Sequence, residues 1–273
     1  MSYHAFPALL AAIAIAFLGS PLLMPEAAAD SPNPGSPMAG AWVGIVLGDA
    51  DSRPGVDVDT VLRRSPAYIA GIEDGDRVLS VNDRDVRTPG KLETILGGQP
   101  AGRTIRLGIE RDGDASEVEV QLAQAVSSSK VLQMHNEGYK PPTLSLTDLD
   151  GEDLDLQSVA DKPVVLEFWA TWCTVCRQVS RKLEEAVDDS PDAFKVVSIT
   201  SEEPSVVREH LQTQPKAHDI AIDVDELAHK GFLVNSYPFV AVIGTDGKIE
   251  TVVSDLNKVD DLIEDLTQAS DDE

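Results

Sequence analysis

Cysteine is scarce in this chain, whose 273 residues contain only Cys173 and Cys176. A secreted protein that relies on disulfides for stability distributes an even number of cysteines over distant segments. Two cysteines separated by two residues cannot join distant parts of the chain. The sequence therefore argues against a disulfide scaffold and directs attention to the chemistry of the pair itself.

Basic residues are also few, with 22 Lys and Arg against 47 Asp and Glu, which gives a formal net charge of -25 at pH 7. A charge of this sign repels nucleic acid and anionic membranes, so we expect no nucleic-acid partner. Apart from the tail at 270–273, the acidic residues are spread along the chain. That spread is typical of a solvated acidic surface.

The N-terminal segment contains no Lys or Arg before an uncharged apolar run at 5–18, and the small residues 27–29 follow. This order predicts a secretory signal peptide over 1–29 and an exported, periplasmic protein. The alternative is an uncleaved membrane anchor, because the apolar segment extends to Met24 and approaches the roughly 20 residues that cross a bilayer. No Cys stands beside the cleavage site, so a lipid anchor is not expected.

The rest of the chain divides into two domains. Residues 30–40 combine three prolines with two glycines, which indicates a linker. Short β-type runs separated by turns then occupy 41–123, with one short helix near 91–96, and predict a mainly-β domain. The segment 124–138 loses this pattern and is interpreted as a second, flexible linker, whose fifteen residues would reach about 20 Å.

Residues 139–273 predict an α/β sandwich, because β-type and helical patterns alternate along them. The strongest element is the apolar run at 163–169, which is typical of a strand covered on both faces. The later elements are a helix at 175–188, a strand at 195–200, a helix at 205–212, a strand at 220–223, a helix at 226–232, a hairpin at 239–254 and a helix at 259–268.

The first domain resembles a PDZ domain of the bacterial periplasmic-protease type on the stretch 65–82, which reads SPAYIAGIEDGDRVLSVN. In that family, successive backbone N–H groups beside an open strand edge hold a peptide's terminal carboxylate while the peptide pairs as an added strand. The resemblance assigns substrate binding to Trp42, Val43, Gly44 and Ile45 in the loop and to Leu92, Ile95 and Leu96 on the short helix. The alternative is a PDZ fold that serves packing or dimerisation alone.

The cysteine pair predicts redox chemistry on physical grounds. Cys173 follows a buried strand and lies at the start of a helix, where the helix dipole and free N–H groups stabilise a thiolate and lower its pKa. Cys176, one turn later, is close enough to attack a mixed disulfide on Cys173 and release the substrate. We therefore predict Cys173 as the nucleophile and Cys176 as the resolving thiol, with no cofactor beyond their disulfide.

Two other uses of the pair are disfavoured. A structural zinc site needs further ligands, but the histidines at 135, 210, 218 and 229 lack the compact spacing of such sites, so no metal is expected. An inert bridge is disfavoured because Trp172 and Cys173 are expected to form an exposed helix start.

The second domain resembles the periplasmic thioredoxin-like family of the TlpA/ResA type, which includes proteins of cytochrome c maturation. The matching motifs are the opening segment 142–151 with Leu156, the active-site run FWATWCTVC at 168–176, and Tyr237–Pro238 in the position of the family's cis-proline. The resemblance implies a thiol-disulfide oxidoreductase that acts on protein thiols and disulfides, with a membrane redox donor as a further partner.

The resemblance also assigns roles to two positions near the pair. Glu167 stands where the family carries a buried acid, and burial is expected to raise its pKa so that it passes protons to or from Cys176. The alternative is a strand-end Glu that reaches solvent. A cis bond before Pro238 would turn the backbone of Tyr237 toward the pair as a substrate-binding edge, and proline offers the thiolate no N–H donor.

Departures from the family leave the direction of electron flow unassigned. The dipeptide between the cysteines, Thr174-Val175, lacks the usual proline, and these positions tune the reduction potential. Val179 stands where haem-pathway members often carry Glu, which argues against that pathway. Two other functions remain open: a PDZ-led adaptor or chaperone whose cysteines sense redox state, and a disulfide isomerase, which would require dimerisation.

Overall fold

The computed structural model describes residues 40–142, 144–154 and 162–271, with the side chains of 269–271 left out. The predicted signal peptide, most of the first linker and Leu156 lie outside the described residues. None of the described helices has the length and apolarity needed to cross a membrane.

The first domain is mainly β, as predicted. Its strands are β1 (Ala41–Trp42), β2 (Ile45–Leu47), β3 (Val56–Val61), β4 (Arg77–Val81), β5 (Arg84–Asp85), β6 (Thr104–Arg111), β7 (Asp114–Gln121) and β8 (Ala123–Gln124). The main sheet has the order β2-β3-β4-β6-β7 with β5 on β4, its pairings are antiparallel, and β1 pairs separately with β8. Alternation places Val56 and Val58 on the core side of β3. The β2–β3 register shifts between Val58 and Thr60, and this irregularity brings Val61 to the core as well.

Two helices complete this domain, α1 (Pro66–Ile69) and α2 (Pro89–Gly97). Each begins with a proline after a hydroxyl N-cap: Ser65 accepts from the N–H of Tyr68, and Thr88 from that of Lys91. Both features favour helix initiation. The sequence analysis predicted α2 and missed α1, whose four residues are too few to show helical periodicity.

The segment 124–138 is not a flexible linker, and this expectation is wrong. It contains α3 (Ser128–Asn136), capped by the Ser127 hydroxyl. Val131, Leu132 and His135 on this helix are buried. Contacts on more than one face of α3 bury its apolar residues and stabilise this short helix. The low overall hydrophobicity of the segment gives no indication of that burial.

The second domain is the predicted α/β sandwich. Its strands are β9 (Val164–Phe168), β10 (Lys195–Thr200), β11 (Asp219–Ile222), β12 (Phe239–Ile243) and β13 (Ile249–Val253). Its helices are α4 (Cys176–Asp189), α5 (Pro204–Thr213), α6 (Leu227–Phe232) and α7 (Leu256–Asp271). The sheet order is β11-β10-β9-β12-β13, with β9, β10 and β11 parallel and the last two pairings antiparallel.

Every residue of the central strand β9 is buried, which explains its nearly continuous apolar sequence. One face of the sheet packs against α4 and α7 through Val165 and its neighbours. The other face packs against α3 and α6 through Leu166 and Phe168. The chain leaves β9 at Phe168 and enters α4 at Cys176, so the cysteine pair lies at the carboxyl end of the central strand.

The two domains meet along a fixed junction. An apolar cluster joins Trp42 and Leu62 of the first domain to Val131 of α3 and to Leu233 of the second domain. Beside it, the N–H of Arg63 donates to His135 Nδ1 at 3.3 Å, and the guanidinium of Arg63 lies 4.5 Å from the centre of the Tyr139 ring. Apolar and polar contacts together hold the domains in one arrangement.

Candidate active site

The structure brings Cys173 and Cys176 together as a disulfide. A turn after β9 places Cys173, whose N–H donates to the Ala170 carbonyl at 3.0 Å. The helix α4 begins at Cys176 and has no side-chain N-cap. The N–H of Cys176 donates to Cys173 Sγ at 3.1 Å, so a free helix N-terminus faces the sulfur that the sequence assigns as nucleophile.

The expected exposure of Cys173 is wrong for the disulfide form, because Cys173 and Cys176 are only 6% and 1% exposed. The exposed neighbour is Trp172, which is 71% exposed and whose ring lies 5.7 Å from the ring of Tyr237. The Tyr237–Pro238 peptide is cis, in agreement with the resemblance. Trp172 and Tyr237 therefore form an aromatic rim beside the pair.

Glu167 lies beneath the pair on β9 and is completely buried. Its Oε1 accepts from the Ser180 hydroxyl at 2.6 Å, and its Oε2 accepts from the Ser198 hydroxyl at 2.5 Å and from Lys216 Nζ at 2.7 Å. Ser180 Oγ also donates to the Cys176 carbonyl at 3.0 Å. A hydrogen-bonded network thus connects the buried acid to the backbone of the resolving cysteine.

The expected raised pKa of Glu167 is wrong. Burial by itself raises the pKa, but His218, Lys216 and the Ser180 hydroxyl outweigh it and lower the pKa to about 2. Glu167 is therefore a carboxylate at neutral pH and cannot donate a proton to Cys176. The alternative of a Glu that reaches solvent is also wrong, because no part of the side chain is exposed.

Sequence reasoning missed Lys216 and His218, which lie 49 and 51 residues after Glu167 in a loop between α5 and β11. Lys216 Nζ also lies 4.4 Å from the centre of the buried Trp169 ring, a cation–π contact. His218 Nε2 lies 3.6 Å from Glu167 Oε2. A lysine in a loop gives no indication in the sequence that it is buried, because most lysines are exposed to solvent.

A second network was also missed, and it ends at Tyr237. The Tyr237 hydroxyl lies 2.9 Å from His229 Nε2, and His229 Nδ1 lies 2.7 Å from Asp223 Oδ2. Asp223 is completely buried and also accepts from the N–H groups of Ala228 and His229. Burial raises the pKa of Asp223, but the hydrogen bonds from His229 and the two N–H groups prevail and lower it.

The residues assigned to the PDZ groove are placed as follows. Leu92, Ile95 and Leu96 lie in the core of the first domain, each at most 7% exposed. The Val43 carbonyl accepts from the N–H of Ala67, and the Gly44 carbonyl accepts from the N–H of Leu62 and the Ser65 hydroxyl. Trp42 is committed to the domain junction, whereas β2, which begins at Ile45, is an edge strand of its sheet. Peptide binding there stays a prediction.

Gly44 is required at its position in this loop. Its φ is +83°, and a Cβ there would lie 2.1 Å from the Ser65 Cβ. Any other residue would be strained by the backbone and would collide with the start of α1.

Within the described ranges, no group of three or more His, Cys, Asp or Glu side chains is arranged to hold a metal ion. The described geometry is that of a Cys-x-x-Cys pair at a helix N-terminus, next to a cis-proline and above a buried carboxylate, on a five-stranded α/β sheet. This combination defines the class of thioredoxin-like thiol-disulfide oxidoreductases.

Comparisons with known proteins agree with this class. The sequence matches the AhpC/TSA family over residues 138–252 and the PDZ domain family over residues 42–122. Thioredoxin-like protein YneN of Bacillus subtilis is 35% identical over 120 residues, which cover 42% of this chain and 70% of YneN. Thiol-disulfide oxidoreductase ResA of Bacillus cereus is 24% identical over 124 residues, or 44% of this chain and 72% of ResA.

The magnetosome formation protease MamE of Paramagnetospirillum magneticum is 34% identical over 101 residues, which cover 37% of this chain and 13% of the protease. The chain therefore belongs to the thioredoxin-like thiol-disulfide oxidoreductases, and it carries a PDZ domain before the thioredoxin-like domain.

Proposed function

We propose that this protein is an exported thiol-disulfide oxidoreductase in which Cys173 is the nucleophile and Cys176 the resolving thiol. The observation that carries the proposal is the hydrogen bond from the N–H of Cys176 to Cys173 Sγ at 3.1 Å. A helix N-terminal N–H that points at this sulfur stabilises the negative charge of its thiolate.

The proposed exchange is balanced in two steps. In the reduced protein, the Cys173 thiolate attacks a substrate disulfide, forms a mixed disulfide and expels one substrate thiolate, which takes up a proton. Cys176 then loses its proton and attacks Cys173 Sγ, which expels the second substrate thiolate and forms the Cys173–Cys176 disulfide. Two electrons pass from the pair to the substrate, and the reverse sequence oxidises a substrate dithiol.

The buried carboxylate acts differently from the original expectation. Because Glu167 is already charged, its contribution is to fix Ser180 and Lys216 beneath the resolving cysteine. A carboxylate whose pKa is about 2 is a weak base, so we do not assign Glu167 as the acceptor of the proton that leaves Cys176. We assign Glu167 the role of a positioning residue.

Cysteine variants test the function. Cys173→Ser is expected to abolish exchange with a protein disulfide, whereas Cys176→Ser still forms a mixed disulfide that accumulates and is seen by mass spectrometry. Equal turnover by wild type and Cys173→Ser would reject the enzyme and favour an adaptor with redox-sensing cysteines. The reduction potential of the Cys173–Cys176 couple then assigns the direction of electron flow.

Export and partner recruitment belong to the same proposal. The apolar run at 5–18 and the small residues 27–29 support secretion to the periplasm, with a membrane redox donor as electron partner and an uncleaved anchor as the alternative. The open edge of β2 supports recruitment of protein C-termini by the PDZ domain. Binding of a C-terminal peptide library to the full chain, with amidated peptides as controls, tests this recruitment.

A further inference from the structure

A cavity of about 1070 Å³ lies between the PDZ domain and the thioredoxin-like domain. Val46, Thr60 and Tyr68 line it on the PDZ side, and His229, Asn235 and Tyr237 line it on the other side. Ligand sites are commonly found between domains and have volumes of roughly 300–1,000 Å³. A space of this size accepts a short stretch of polypeptide.

The two walls are fixed with respect to each other. The apolar cluster of Trp42, Leu62 and Val131 lies at the junction. Arg63 lines the cavity; its backbone N–H donates to His135 Nδ1, and its guanidinium donates to the His135 carbonyl. Because the apolar cluster is buried and the Arg63–His135 hydrogen bonds are partly buried, the cavity is a built part of the fold and does not depend on a chance approach of two tethered domains.

The cavity reaches the redox site at Tyr237. The carboxylate of Asp223 at His229 Nδ1 requires that nitrogen to donate, so in the neutral ring Nε2 accepts from the Tyr237 hydroxyl. The phenol is thereby held in one orientation. Tyr237 directly precedes Pro238, and the centre of its ring lies 5.7 Å from the ring centre of Trp172, which precedes Cys173 in the sequence.

The charge on the walls selects the ligand. Four carboxylates line the cavity against two fixed cations: Asp59, Glu73, Asp74 and Glu226, with Arg63 and Lys230. Glu73 is paired with Arg111, so three carboxylates remain against the charges of Arg63 and Lys230, and two of them, Asp59 and Glu226, are exposed. The wall is therefore net negative and complements a cationic ligand.

We propose that this interdomain cavity binds an extended, basic segment of the substrate protein, and that the Tyr237 hydroxyl, positioned by His229 and Asp223, contacts the segment next to the cysteine that exchanges with Cys173. The inference rests on the proposed oxidoreductase function and identifies its substrate class. The PDZ domain then acts as one wall of the substrate site.

The test uses the reduced full chain with three disulfides: hydroxyethyl disulfide, and two peptides whose single cysteine is capped by a small thiol and flanked by lysines in one and glutamates in the other. Asp59→Lys reverses a charge on the cavity wall. Asp114→Lys makes the same charge change on the exposed start of β7, away from the cavity, and is the matched control.

The wild type is expected to prefer the lysine peptide over the glutamate peptide in kcat/KM. Asp59→Lys should reduce this preference about fivefold, as expected for the reversal of a nearby charge in a partly screened setting. Asp114→Lys should retain it. Equal preferences in the two variants, or no preference in the wild type, would overturn the inference while the oxidoreductase function stands. Failure of the wild type to react with hydroxyethyl disulfide would overturn both.

Tyr237→Phe tests the contact itself, because it removes the hydroxyl and keeps the ring. We expect KM for the lysine peptide to rise about threefold, the equivalent of one neutral hydrogen bond, with kcat nearly unchanged. A general loss of structure would lower kcat for all three disulfides together. An unchanged KM would remove the hydroxyl from substrate binding.

Discussion

Lys216 Nζ lies 2.7 Å from Glu167 Oε2, and the two side chains are 7% and 0% exposed. A buried pair of this kind is sensitive to the loss of one partner, because the remaining charge stays in a poorly solvated site. Lys216 Nζ lies over the Trp169 ring, and Glu167 is connected through Ser180 to the Cys176 carbonyl. The integrity of this pair therefore affects both the stability of the domain and the support of the redox site.

The first prediction concerns pH. The pKa of Glu167 falls from its ordinary 4.5 to about 2 in the folded protein, so the carboxylate stabilises the fold above about pH 4.5 and loses this contribution as the pH falls toward 2. The difference in free energy of unfolding between wild type and Glu167→Gln should shrink by up to about 3 kcal/mol over that interval. Urea unfolding at a series of pH values measures it, and a constant difference would contradict the lowered pKa.

The second prediction concerns Lys216→Met, which leaves the Glu167 carboxylate without its ammonium partner. We expect a loss of about 3–5 kcal/mol in the free energy of unfolding at pH 7. Lys182→Met is the matched control, because Lys182 pairs with Asp260 at a more exposed position and its loss should cost less than about 1 kcal/mol. Similar losses in the two variants would show that burial gives the Lys216 pair no special weight.

The third prediction concerns His135 at the domain junction. Burial and the nearby charge of Arg63 lower its pKa from 6.5 to about 4, and its neutral Nδ1 accepts from the N–H of Arg63. The unfolded chain therefore binds more protons between pH 4 and 6.5, and stability should fall as the pH drops through this window, by up to about 3 kcal/mol.

His135→Gln should flatten that part of the stability curve, since glutamine does not titrate. Urea unfolding of both proteins between pH 4 and 7 gives the comparison. A wild-type curve and a variant curve of equal slope would exclude His135 as the titrating group.

The fourth prediction concerns Trp42→Ala. Trp42 is 9% exposed and fills the cluster that joins the domains, so its truncation should cost about 3–5 kcal/mol. Trp172→Ala makes the same chemical change at a residue that is 71% exposed and should alter stability by about 0.5 kcal/mol or less. Thermal unfolding of the two variants, followed by calorimetry, separates them; a stable Trp42→Ala protein would mean that the junction contributes little.

Most of the fold could be predicted from local patterns. The continuous apolar run at 163–169 indicates a strand covered on both faces, and the β-type run at 56–61 indicates a strand bounded by turns; both strands occur as predicted. The cysteine spacing predicted that both residues lie beside the start of one helix, and that helix begins at Cys176 with Cys173 in the turn before it. These features are local, so the sequence displays them.

The features that the sequence did not predict depend on contacts between residues that are far apart in the chain. The pKa of Glu167 is set by Lys216 and His218, which no spacing rule connects with it, and burial alone predicted the opposite direction. In the same way, α3 looked like a linker because its apolar residues match surfaces of two domains rather than a single helical stripe. Tertiary partners decided both outcomes.

The helix α3 also limits the modularity of the protein. Residues of α3 are shared: Leu132 belongs to the core of the thioredoxin-like domain, and Val131 packs with Trp42 and Leu62 of the PDZ domain. A shortened chain that begins after the PDZ domain would expose the surface around Val131, Met134 and Leu233 to water. Combination of either domain with a different partner would therefore require a new surface on this helix.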